Sequence, residues 1–114
     1  MTKPINESGY PSIVNRTPTT VDITSQTNEN GCTFFVIVDR SATAPTSQQV
    51  KNGQDSTGTP VAFGLSGAAI QVANFEAYSA AINLAESTNY DAYVVSEDSV
   101  SNLQDNPTKV EFST

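Results

Sequence analysis

Histidine and tryptophan are absent from the 114-residue sequence, which has a single cysteine and five basic residues. Each shortage removes a class of chemistry. Without histidine there is no side chain that titrates near neutrality as a general base, and the commonest ligand of transition metals is missing. The lone Cys32 has no partner for an internal disulfide and is too little for a zinc cage. No basic cluster lies near it in sequence, so it reads as a small buried hydrophobe. Five Lys and Arg against twelve Asp and Glu give a net charge of −7, the wrong sign for a phosphate backbone. No apolar run approaches the ~18 residues of a membrane-spanning helix; the longest, Phe34 to Val38, is the size of a strand.

Enzymatic constellations are equally scarce. A serine nucleophile would have only Lys3, Lys51 or Lys109 as base, each in polar sequence. Gly64-Leu65-Ser66-Gly67 lacks the lysine and the spacing of a phosphate loop. The carboxylates are scattered over loops and do not suggest two acids facing each other across a cleft. The reading is a non-catalytic protein with no cofactor.

What is present is Ser and Thr, about a quarter of the chain, a composition that suits β-structure with polar turns better than a helical bundle. It also resembles surfaces exposed outside cells. One domain is expected at this length. Residues 1–9 are polar, contain Pro4 and Gly9 and lack periodicity, so they read as an arm or linker before a single domain over residues 10–114. The first eight residues contain no apolar segment of a secretory leader. Two origins stay open: a chain that reaches the exterior by another route, or a module cut from a longer protein.

Along the domain, Tyr10 to Val14 is interrupted by Pro11 and suits an edge strand. Thr20 to Ser25 alternates, with Val21 and Ile23 on one face. Asn28-Glu29-Asn30-Gly31 has the turn chemistry of a hairpin. Cys32 to Val38 is apolar on both faces and reads as central. Thr46 to Gly53 predicts one short helix, with Thr46 as N-cap, Gln49 completing a capping box, Gly53 in the left-handed position after it and Val50 as its anchor. Pro60 to Gly64 suits another edge strand, and residues 64–78 are left without a clear assignment. Asn74 to Leu84 supports two readings. Phe75, Tyr78, Ile82 and Ala85 share a helical face, whereas Ala80, Ile82 and Leu84 alternate as in a strand. Tyr90 to Ser96 is the clearest strand, with Tyr90, Ala92 and Val94 opposite Asp91, Tyr93 and Val95. Residues 97–107 read as a polar loop and Lys109 to Ser113 as a last strand.

Leu84-Ala85-Glu86-Ser87-Thr88-Asn89-Tyr90, followed by Asp91-Ala92-Tyr93-Val94-Val95, resembles fibronectin type III domains, in which a Leu ends one strand and a Tyr six residues later opens the next. Ala44 to Gly53, Tyr93 to Asp98 with Ser101 to Gln104, and Lys109 to Thr114 resemble a bacterial subset of such modules. The resemblance implies an all-β, immunoglobulin-like antiparallel β-sandwich of about seven strands with one short helix. It further implies that Tyr90 forms a tyrosine corner, supported by Leu84, and it favours the strand reading of Ala80 to Leu84. The family's core Trp is absent, with Phe34 or Phe35 available to fill that volume.

Such modules display, space or adhere. The expectation is a structural protein of a phage virion, decorating the capsid or part of the tail, attached through its N-terminal arm or a sheet face. The alternative is a spacer or adhesion module of a bacterial surface or secreted protein that binds carbohydrate or calcium. Glu97, Asp98 and Asp105, with the hydroxyls and amides between them, are the calcium candidates, although their spacing is not that of an EF-hand. Tyr10, Tyr78, Tyr93, Phe63 and Phe75 are candidates for an aromatic surface facing a protein or sugar partner. Tyr93 stands out among them because alternation turns it away from Tyr90.

Overall fold

Alternating apolar and polar residues over short stretches, punctuated by Asn, Gly and Pro, leave this chain no means of burying its apolar side chains except between sheets. In the computed structural model, which describes residues 3–114, the elements run β1 (Ser12–Val14), β2 (Val21–Ser25), β3 (Gly31–Asp39), α1 (Ser47–Lys51), β4 (Ser66–Gln71), β5 (Ala77–Ala81), β6 (Asn89–Asp98) and β7 (Thr108–Ser113). They form two antiparallel sheets of order β1-β2-β5 and β4-β3-β6-β7. The protein is an all-β antiparallel sandwich of seven strands with one short helix. Its first, second and fifth strands lie in one sheet and its third, sixth and seventh in the other, an arrangement consistent with immunoglobulin-like topology.

Val21 and Ile23 of β2 meet Phe35 and Ile37 of β3 and Tyr90, Ala92 and Val94 of β6 between the sheets. Phe35, not Phe34, is the central aromatic, and Gly67 lies so close that an added Cβ would stand 2.8 Å from its ring. The even-numbered residues of β3 face the other way. Val36, Tyr93 and Val95 form a second cluster on the outer face of the four-stranded sheet, covered by Val50 of α1 with Val61 and Leu103. Strands β3 and β6 are therefore buried on both faces over much of their length, which is why Phe34 to Val38 and Ala92 to Val95 are apolar without a break. The helix is held by its capping box: Gln49 N–H donates to Thr46 Oγ1 (3.2 Å) and Thr46 N–H to Gln49 Oε1 (2.9 Å).

Four expectations are corrected. Asn28 to Gly31 is not a hairpin turn, because β2 pairs with β1 and β5 while β3 pairs with β4 and β6. The segment crosses between sheets. Turn chemistry is local and does not choose the strand that follows it. Gly31 is required instead by close approach, since a Cβ there would stand 1.9 Å from the Glu97 carbonyl oxygen. Pro60 to Gly64 forms no strand, and the edge strand is β4, within the stretch left unassigned. The strand over 80–84 lies earlier, at Ala77–Ala81, in the opposite phase.

Residues 3–9, finally, are not a free arm. Glu7 N–H donates to Gln26 O (2.8 Å) and Asn28 N–H to Ile5 O (3.2 Å), Gln104 Nε2 donates to Pro4 O (3.0 Å), and Lys3 pairs with Asp105. Residues 1 and 2 of the expected arm lie outside the described residues.

Candidate interaction surface

The three calcium candidates are not brought together. Glu97 and Asp98 are consecutive residues of β6, so their side chains leave opposite faces of the sheet. Glu97 pairs with Lys51 Nζ at 2.5 Å. Asp98 accepts from Val100 N–H (3.0 Å), Asn102 N–H (2.9 Å) and Asn102 Nδ2 (2.7 Å), closing the turn after β6. Those bonds, led by the Asn102 side chain, hold the Asp98 carboxyl below its ordinary pKa. Asp105 is engaged by Lys3. Among the described residues no group of three or more acidic or thiol side chains is placed to hold a metal ion. Each carboxylate here neutralises a lysine or closes a turn.

Tyr90 is buried, stacked on Phe112 with ring centroids 5.6 Å apart, and its hydroxyl accepts from Ala85 N–H at 2.8 Å. Leu84 is buried beside it in the inter-sheet core. Together they tie the end of the β5 segment to the start of β6, a role in the fold and not in a site. Tyr93 does turn away from Tyr90, but it is only 5% exposed, shut beneath α1 and the loop after β6. Burial, with the nearby Asp91 charge, pushes its hydroxyl pKa upward. Tyr93 is corrected from surface candidate to core residue, because alternation tells which face a side chain takes and not what covers that face.

The exposed apolar side chains lie elsewhere. Among the described residues eight large hydrophobic side chains are exposed, and six of them are Phe63, Ile70, Val72, Phe75, Tyr78 and Ile82. All six belong to β4, β5 and the turns flanking them. The two strands are edges of different sheets that run close together along one side of the sandwich.

Their amphipathicity is inverted. In β4 the inward residues are Gly67, Ala69 and Gln71, while Ala68 and Ile70 face out and Val72 follows, also exposed. In β5 the small Ala77, Ser79 and Ala81 face the core and Tyr78 and Ala80 face out, with Ile82 exposed beyond them. Asn83, with φ +63°, then resets the phase and returns Leu84 to the core. An ordinary half-solvated strand places polar residues outside. Here the larger apolar side chains are outside, Ile70 at 80% exposure.

Both end turns are held from within. Gln71, almost wholly buried, donates from Nε2 to Val72 O (2.8 Å) and Phe75 O (2.6 Å) and accepts from the Ser25 hydroxyl (2.9 Å). Ser25 continues to Thr33 (3.1 Å) and Thr33 to Ser96 (2.8 Å), a polar chain between the sheets. At the opposite end Asn83 Nδ2 donates to Phe63 O (3.1 Å) and Ile82 N–H to Gly64 O (3.0 Å). Phe75, 68% exposed, and Phe63, 83% exposed, therefore project from turns whose backbones are fixed.

Charge is nearly absent from the segment that supplies these side chains, although Glu97 and Asp98 lie beside Ile70 and Val72 and Asp22 is paired with Ala80. From Ser56 through Ala85 the only charged residue is Glu76. Its carboxylate accepts from the hydroxyls of Tyr10 (2.6 Å) and Tyr78, which hold its pKa down and raise theirs. This carboxylate is an acceptor already in use by two phenolic hydroxyls.

Of the five aromatic candidates, Phe63, Phe75 and Tyr78 are exposed on this side. Ile70, Val72 and Ile82 were missed by the sequence reading. The signal for them was the uncharged run around Glu76, together with apolar periodicity that fits neither helix nor strand as a core face. No family model, curated protein or solved structure matches the chain.

Proposed function

We propose that this protein is a non-catalytic structural module, akin to fibronectin type III domains, that takes its place in a larger protein assembly through its β4–β5 side. The observation that carries the reading is the inverted amphipathicity of those strands. Apolar side chains exposed on edge strands and their fixed end turns, within a chain of net charge −7, fit a protein interface and are costly to leave in water. The Tyr90 to Ala85 bond and the strand order support the fibronectin-like part of the proposal. The setting we propose is exterior, first a phage virion and second a bacterial surface or secreted protein, on the strength of a Ser- and Thr-rich acidic composition. Attachment by the apolar side takes the place of attachment by the N-terminal arm, because residues 3–9 are bonded to the domain itself.

The test is fractionation in the native host. The wild-type chain is expected to sediment with a particle or surface fraction, and the Phe63→Ser, Phe75→Ser, Ile82→Ser triple variant to be released from it. A wild-type chain found free, or a triple variant that stays with the fraction, would refute the proposal.

A further inference from the structure

The edges of the sandwich are guarded unequally. An open strand edge is a template for another chain, and folded proteins blunt it with short strands, proline or charge. Strand β1 is three residues long and follows Pro11. Strand β7 carries Lys109 and Glu111 at its edge, 3.6 Å apart. Strand β4, Ser66-Gly67-Ala68-Ala69-Ile70-Gln71, has neither charge nor proline, and only one of its two sides is paired, with β3. Its side chains are small apart from Ile70 and Gln71, so another backbone can come close.

We propose that β4 pairs with β4 of a second copy of this chain, antiparallel about a two-fold axis, joining the two four-stranded sheets into one. This rests on the reading of the β4–β5 side as an interface and names one occupant for it. Two considerations select a second copy. The first is charge: two chains of −7 repel wherever their carboxylates face each other, and β4 itself, Ser66 to Gln71, brings no charged side chain into the seam between two copies. A strongly basic partner would instead be drawn to the acidic faces. The second is symmetry: an antiparallel edge is self-complementary, so the same row of Ala68, Ile70 and Val72 that is exposed in one copy covers its equivalent in the other.

Sedimentation equilibrium of the purified full chain between about 10 and 500 μM tests the pairing. A dimer is expected, several-fold tighter in 0.5 M than in 0.05 M NaCl because salt screens the repulsion of the remaining surfaces. Ile70→Lys and Ala68→Lys, both at exposed positions and with unchanged circular dichroism, should each leave a monomer. In a Cys32→Ser background, the Ala68→Cys, Ile70→Cys double variant, which places a thiol opposite a thiol whether the two-fold axis falls at residue 68, 69 or 70, should cross-link two copies under mild oxidation, and Glu111→Cys on β7 should not. A monomer throughout the concentration range, or a dimer that survives both lysine variants, overturns the inference. A monomer in solution whose triple variant is nevertheless released from the host fraction would overturn β4 self-pairing alone and leave the interface assignment standing.

Discussion

Replacing Gln71 by Met tests whether a buried amide holds the exposed apolar turn in place. The substitution keeps side-chain length and volume and removes three hydrogen bonds, those to Ser25, Val72 and Phe75. Each is worth about 1 kcal/mol net. Val72 and Phe75 are exposed, so their carbonyls reach water once the turn loosens, and Ser25 keeps Thr33 as a partner at 3.1 Å. No group is stranded in the core, and the full desolvation penalty does not apply. Burial of the apolar Met returns about 1 kcal/mol. The expected loss is therefore about 2 kcal/mol. With an unfolding entropy of about 2.1 cal/mol/K per residue, that lowers Tm by about 8 °C in a chain of this size. Thermal unfolding followed by circular dichroism measures the loss, and amide hydrogen exchange locates it. The Phe75 amide, bonded to Val72 O at 3.1 Å, should exchange faster in the variant, while amides of β3 and β6 slow or speed only with global stability. A loss under about 0.5 kcal/mol with unchanged exchange at Phe75 would refute the idea that Gln71 fixes the turn.

Three other outcomes follow from the same structure. Tyr90→Phe removes the acceptor of Ala85 N–H and should cost about 1 kcal/mol, or about 4 °C in Tm; an unchanged Tm would show the corner bond to be dispensable. Arg40→Ala removes the cation 3.1 Å from the buried Asp91 carboxylate, leaving it only the Ser41 N–H (3.1 Å), and also removes a donor from Phe112 O (2.9 Å). We expect a loss of about 3 kcal/mol in urea unfolding, largely recovered when Asp91→Asn is added. Asp98 has a folded pKa below its ordinary value of 3.8. Its contribution is complete above that pH and lost as the pH falls through the lower folded value, so Asp98→Ala should destabilise at pH 7 and flatten the acid limb of a stability profile below about pH 4. An acid limb identical to wild type would show that Asp98 does not supply it.

Much of the architecture was legible in the sequence because it depends on neighbours. The alternation of Val21 with Ile23, the doubly apolar Cys32 to Val38 and the Thr46–Gln49 capping box each specify a local geometry, and those elements lie where the pattern places them. The segment from Pro60 to Leu84 was not legible for a physical reason. Its larger apolar side chains face solvent and not the core, so a rule that sends the larger apolar residues inward puts Tyr78 and Ile82 on the wrong face. The acidic residues misled in the opposite sense. Glu97, Asp98 and Asp105 are close in sequence, yet a strand sends the first two to opposite faces and lysines far along the chain, Lys3 and Lys51, occupy two of the three.

That this is a β-rich acidic chain without histidine chemistry follows from composition and two-residue periodicity, which no fold can alter. Which faces are covered was settled by the packing of the two sheets. It buried Tyr93 beneath α1, fastened residues 3–9 to the domain and left Ile70, Phe75 and Phe63 in solvent. Coverage depends on contacts between residues distant in the chain, and those exist only once the two sheets have packed.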